Sequence, residues 1–192
     1  MSNLFYRASD RELLTVRNKI FKETGIPSLE NKGFSKSPFR GIWFGEYDRN
    51  VSGYSYELCR LTKKYLEIIT VYIVTGDSYI NISMNIFELY PETSSLSDLH
   101  DCDGVKFHLP PNSISKMRLR NDDYTLPPLL YMLFLPEHKI GKYISKQGFY
   151  SEVAKLKKLI KKDMENIDYF VKRWHELHVP VITDWVGCPV LK

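Results

Sequence analysis

Arg7 stands directly behind the apolar triplet Leu4-Phe5-Tyr6, and a guanidinium at the end of a buried strand must find acceptors there. A phosphate or ribose in that place is gripped through two parallel hydrogen bonds, whereas a carboxylate such as Glu46 makes a structural salt bridge. His100-Asp101-Cys102-Asp103 and His108 are metal-ligand types, but no C-x-x-C or H-x-x-x-H pair orders them as a structural zinc site requires. A solvated loop is the simpler reading. His175 and His178, one helical turn apart, suit either a metal or the negative pole of a helix end, and the second use is far commoner. The lysines from Lys155 to Lys162 are of the type that contacts phosphates. Glu152, Asp163, Glu165 and Asp168 interleave with them and blunt the field, as on an ordinary solvated helix face. The sequence has no G-x-x-x-x-G-K-[ST], G-x-S-x-G or H-E-x-x-H, so P-loop, α/β-hydrolase and zincin chemistries lack support.

These residues need elements to hold them. The clearest is a hairpin over Tyr65 to Tyr90. Ile80, Ile82, Met84 and Ile86 alternate with Asn81, Ser83 and Asn85, the period of a strand, and YLEIITVYIV before them is apolar nearly throughout, as in a strand covered on both sides. Gly76-Asp77 supplies the turn. Ser9 and Glu12 form a capping box for a helix over Asp10 to Thr24, with Gly25 as a left-handed stop and Pro27 preventing continuation. Ser28 to Pro38 reads as an exposed loop, Phe39 to Gly45 as a short strand, and Tyr54 to Lys64 as a helix. Val105 to Leu109 and Ser113 to Arg120 read as short strands, and Asn121 to Pro128 as a loop. Leu129 to Leu135 is a buried strand or a buried helical turn. From Ser151 to His178 apolar residues step by three and four, which predicts one long amphipathic helix. Val181 to Val186 is a last strand returning to the sheet.

The 192 residues therefore predict one α+β domain: a mixed or antiparallel sheet core over 1–150, with a helical C-terminal part over 151–192. A hydrophobic fraction of 43% is enough for a real core. A net charge of +4 admits an acidic partner without demanding one. Three scattered cysteines, no apolar leader and no long apolar run predict a cytoplasmic protein with free thiols, no disulfide framework and no membrane span.

The order of pieces resembles a known family. Leu4-Phe5-Tyr6-Arg7-Ala8-Ser9, a helix with its Gly25 turn, Gly41-Ile42-Trp43-Phe44-Gly45, a helix with Tyr54 and Tyr56, and the strand Ile68 to Val74 ending at Gly76-Asp77 are similar to the nicotinamide-binding half of the ADP-ribosyltransferase superfamily. Asp103-Gly104-Val105 through Leu109-Pro110-Pro111-Asn112-Ser113 is similar to the strand-then-proline segment near that family's active site. The resemblance implies NAD as substrate, no metal, and transfer of ADP-ribose to a protein or nucleic-acid target. Arg7 would hold the nicotinamide ribose or a phosphate, Ala8 would offer backbone contacts to the carboxamide, Trp43 would stack on the ring, and Tyr54 would complete the cofactor site. Lys106 falls about where the family places its glutamate, so the acid would be Glu152, with Asp103 as the alternative. That carboxylate would stabilise an oxocarbenium-like ribose as nicotinamide departs. An inactive relative, a non-enzymatic interaction protein such as an immunity protein, inhibitor or adaptor, and a nucleic-acid-binding module are the other readings.

Overall fold

The computed structural model describes residues 5–42, 44–123 and 137–190. Among them are four α-helices, α1 (Asp10–Ile20), α2 (Ile26–Glu30), α3 (Lys146–Glu165) and α4 (Ile167–Leu177). Seven strands accompany them: β1 (Ser35–Lys36), β2 (Tyr47–Asp48), β3 (Gly53–Leu61), β4 (Tyr65–Val74), β5 (Asn81–Leu89), β6 (Met117–Arg118) and β7 (Val181–Thr183). The sheet runs β1-β3-β4-β5-β6, with β2 also on β3 and β7 also on β5. Every pairing is antiparallel except β7 with β5. The α+β class and the central hairpin are as the sequence predicts.

The pleat sorts side chains onto two differently covered faces. Tyr56 and Leu58 of β3, Ile69, Val71 and Ile73 of β4, and Ile82, Met84 and Ile86 of β5 meet the helices. There α1 contributes Leu14 and Ile20, α3 contributes Phe149, Leu156 and Ile160, and α4 contributes Phe170 and Trp174. Residues 151–177 thus build the main core. On the second face Cys59, Leu66, Ile68, Phe87 and Leu89 are covered by Phe39, Leu99 and Phe107 from loops and 3₁₀ turns. That cover stops halfway along the strands. Beyond it the face is polar, with Glu57 opposite Thr70, Thr70 opposite Ser83, and Ser83 opposite Arg118.

Several elements differ from expectation, each for a local reason. The N-terminal helix does not stop at Gly25, whose φ of −66° is right-handed. A π turn, Phe21–Gly25, carries it into α2 because the Phe21 ring lies against Gly25, where a Cβ would sit 2.5 Å from Phe21 Cδ2. Pro27 falls in the first turn of α2, directly after the π turn. The left-handed stop is Gly33, at φ +83°. Ser28 to Glu30 is therefore helix, and Leu29 and Phe34 are buried. Ser9 caps α1 by accepting from the Glu12 amide at 3.2 Å, but the Glu12 carboxylate accepts the Tyr6 hydroxyl at 2.7 Å in place of closing the box.

Tyr54 to Leu61 belongs to the strand β3, and Tyr54 to Lys64 is not a helix. Its helix-like spacing arises because Tyr56, Glu57, Leu58 and Cys59 are all buried, on both faces, which erases the two-residue period. Val105–His108 is a 3₁₀ turn, not a strand; only Phe107 points inward. Around Arg40 a single parallel bridge to Asp103 replaces the expected strand. Of Ser113 to Arg120 only Met117–Arg118 pairs, after a 3₁₀ turn at Asn112–Ser115. The long C-terminal helix starts at Lys146 under a Ser145 cap and breaks at Asn166, whose φ of −103° ends α3. That break keeps Ile167, Phe170 and Trp174 on the core side. Trp43 and the Leu129 to Leu135 segment lie outside the described residues. No helix among the described residues is long and apolar enough to cross a membrane.

Candidate functional site

Residues 6–8 run beside residues 143–144: the Tyr6 amide donates to the Ile144 carbonyl at 2.9 Å, and the Ala8 amide to Tyr143 Oη at 3.3 Å. Ala8 is buried, and Arg7 between them is exposed and lies on no strand of the sheet. Glu152, on α3, reaches the same region. Its Oε2 lies 2.3 Å from where a Cβ at position 141 would be, and its Oε1 accepts from Lys155 Nζ at 2.6 Å. Ala8 and Glu152 therefore each touch the 141–144 segment, Ala8 at the Tyr143 hydroxyl and Glu152 beside Gly141. Tyr54 sits on β3 opposite Ile73, edge-on to Tyr47 with ring centroids 5.6 Å apart. Asp103 belongs to the layer on the second face, where Gly104 packs against Phe39 and the Asp103 carboxylate accepts the Val105 amide at 3.0 Å. The sheet thus separates the two candidate acids.

His175 and His178 pack as rings. His175 lies 5.1 Å from the Tyr65 ring and His178 5.2 Å from Trp174, centroid to centroid. Burial lowers the pKa of both; at His178 the charge of Asp122 opposes it. Among the described residues no group of three or more His, Cys, Asp or Glu side chains could hold a metal ion.

A different constellation sits at the seam where the cover of the second face ends. Glu57, in mid-strand on β3, is buried with only 2% of its surface exposed. Its Oε2 lies 2.7 Å from His108 Nε2, on the 3₁₀ turn that brings Phe107 onto the sheet. Its Oε1 is buried and has no hydrogen-bond partner among the described residues. Such an acceptor costs about 1–3 kcal/mol unless something donates to it. Tyr72, on the same face of β4, has its hydroxyl pKa raised by burial and then by the Glu57 charge. Lys116 lies between the Asn112–Ser115 turn and β6, its ammonium 5.5 Å from the centre of the Tyr72 ring. Burial lowers the pKa of Lys116, and Glu57 pulls the other way.

In front of this group is a cavity of about 510 Å³ lined by Tyr72, Asn81, Ile82, Ser83, Ser113, Lys116 and Arg118. Its described lining residues carry two cations, two hydroxyls, an amide and a phenol, and none of them is a carboxylate. Arg118 stacks over the Tyr79 ring at 5.2 Å, and its backbone amide donates to Asp122 Oδ2 at 2.7 Å. Ile114, next to the wall residue Ser113 in the Asn112–Ser115 turn, is exposed. Sequence reasoning missed Glu57, Tyr72, Lys116 and Arg118. The available signal was Glu57 itself, a charge inside a run of buried residues, hidden once β3 was taken for a helix.

A second buried network fixes the other end. Asp163 accepts from Arg120 through both carboxylate oxygens, and its Oδ2 lies 2.7 Å from His138 Nε2. Burial raises the Asp163 pKa, but the hydrogen bonds and charges of His138 and Arg120 outweigh it and hold it below the usual carboxylate value. No family model, curated protein or solved structure matches this chain.

Proposed function

We propose that this chain is a non-enzymatic binding protein that docks a protein partner on the uncovered half of the sheet's second face. The observation that carries this reading is the cavity between β4, β5 and β6, a cationic, hydroxyl-lined depression in an otherwise two-sided sheet. Tyrosine and arginine are enriched at protein interfaces, and here Tyr72 and Arg118 stand at the mouth beside exposed Ile114. Affinity capture followed by calorimetry with the purified captured protein tests it. Binary binding is expected to be lost on Ser113→Trp, which fills the cavity, and kept on Glu152→Gln.

ADP-ribosyl transfer is the second reading, favoured by one observation: Ala8 and Glu152 converge on the 141–144 segment, as a nicotinamide site with Glu152 as its acid requires. Arg7 is then free to reach a dinucleotide phosphate. Calorimetry with NAD and a nicotinamide-release assay separate the two. Release that disappears on Glu152→Gln while NAD binding persists would overturn the binding-protein reading, because a charge that matters only in the transition state marks a catalytic acid.

A further inference from the structure

We propose that the cavity between β4, β5 and β6 receives the carboxylate of an acidic peptide segment of the partner, with Lys116 as its anchor and Arg118 as its second contact. The inference rests on the docking reading above and names the chemistry that docks.

Lys116 supplies the first argument. Its ammonium is partly withdrawn from water, yet among the described residues its neighbours are a ring at 5.5 Å and the field of Glu57, with no ion pair or hydrogen bond to its Nζ. Glu57, the counter-charge felt at Lys116, places one oxygen on His108 and among the described residues leaves the other buried without a donor. A cation in that state is complementary to an anion entering from the cavity side. Ser113 adds a hydroxyl to the wall, while the Asn81 amide donates to Asp77 Oδ2 at 3.1 Å and the Ser83 hydroxyl is turned toward the Thr70 carbonyl at 3.3 Å.

Glu57 also decides which anion. Its charge is felt at Lys116 and Tyr72 and so reaches into the cavity floor. A phosphate monoester's charge of about −1.5 to −2 at neutral pH raises its repulsion by Glu57 and its attraction to Lys116 and Arg118 alike, whereas a carboxylate's single charge matches Lys116, the cation with no ion pair among the described residues. Asp122, at the Arg118 amide, adds a further negative charge on the same side. Two cations are also too short a run for a nucleic-acid backbone, which is tracked by a groove of many positive charges. A monoanion on an extended peptide fits both limits.

The probes are a blocked hexaglutamate peptide, the same peptide with one phosphoserine, and an oligothymidylate, each titrated into the full chain and followed by backbone amide shifts. Hexaglutamate is expected to shift Tyr72, Ser83, Lys116 and Arg118 saturably. Lys116→Met should weaken it at least about tenfold and Arg118→Gln less, since the desolvated cation carries more of the charge-assisted bonding. Glu57→Gln should improve binding of the phosphoserine peptide more than that of hexaglutamate. Shifts elsewhere on the surface, indifference to both Lys116→Met and Arg118→Gln, or tighter binding of either phosphate probe than of hexaglutamate would overturn the inference. A captured partner that is lost on Ser113→Trp but indifferent to Lys116→Met would leave the docking reading standing and remove the carboxylate. A partner that survives Ser113→Trp would remove the docking reading itself.

Discussion

Glu57 and Asp163 are both carboxylates with almost no exposed surface, and their surroundings treat them differently. Asp163 has both oxygens occupied by Arg120 and His138, whereas Glu57 has one. Asp163→Asn removes a buried charge that faces the partly exposed Arg120 guanidinium and the buried His138 ring, and should cost about 3 kcal/mol at neutral pH, read as a shift in urea stability. The sign with pH follows from its lowered pKa. The charged carboxylate stabilises the fold above the ordinary value of 3.8, and that contribution is lost as pH falls through the still lower folded value. The gap between wild type and Asp163→Asn should therefore close in acid. A gap that widens there would mean that Asp163 is not the proton-linked group. Neither carboxylate's role was legible in the sequence. Asp163 reads as one of several charges on a solvated helix face, and only the meeting of α3 with residues 120 and 138 buries it.

At the scale of elements, the hairpin was legible because β5 has an apolar side and a more polar one, and its alternation survives in the sequence. β3 was not, because burial on both faces removes the alternation and leaves an apolar spacing that also fits a helix. The continuation of α1 through Gly25 was hidden for another reason. A glycine followed two residues later by proline is the usual mark of a helix end, and here both are used inside a helix. The packing makes a test. Glycine to alanine in a helix interior normally gains up to about 1 kcal/mol. At Gly25 the new methyl would meet Phe21, which is fully buried and cannot move aside, so Gly25→Ala should instead lose about 1–3 kcal/mol. Gly148→Ala in α3, where the nearest atom is 3.3 Å away on a serine side chain, serves as the control and should show no such loss. Equal urea midpoints for the two variants would mean that Phe21 does not hold the π turn.

At the scale of the molecule, one sheet serves two apolar layers. Trp174 is fully buried in the helical layer, and Trp185 packs at the edge of the loop layer with its indole N–H on the Pro91 carbonyl at 2.7 Å. Because β3, β4 and β5 contribute side chains to both, neither layer can melt while the other stays folded. Fluorescence of Trp174→Phe and Trp185→Phe variants, each also carrying Trp43→Phe so that one tryptophan reports, should give the same urea midpoint once each variant's own stability change is measured by circular dichroism. Two separated transitions would show that the loop layer, which carries His108 and the wall of the cavity, opens on its own.

The pairing of β7 with β5 has a consequence for how the chain is made. Phe87–Leu89 meets Val181–Thr183 as its parallel neighbour, so a central strand waits for a segment synthesised much later. At about 5–20 residues per second the delay is roughly 5–20 seconds. During it, the outer edge of Phe87–Leu89 offers unpaired amides beside two apolar side chains, the kind of edge that recruits strands from other chains. The nascent protein is most exposed to aggregation in that interval, and slow closure of so distant a pair should set the pace at which it matures.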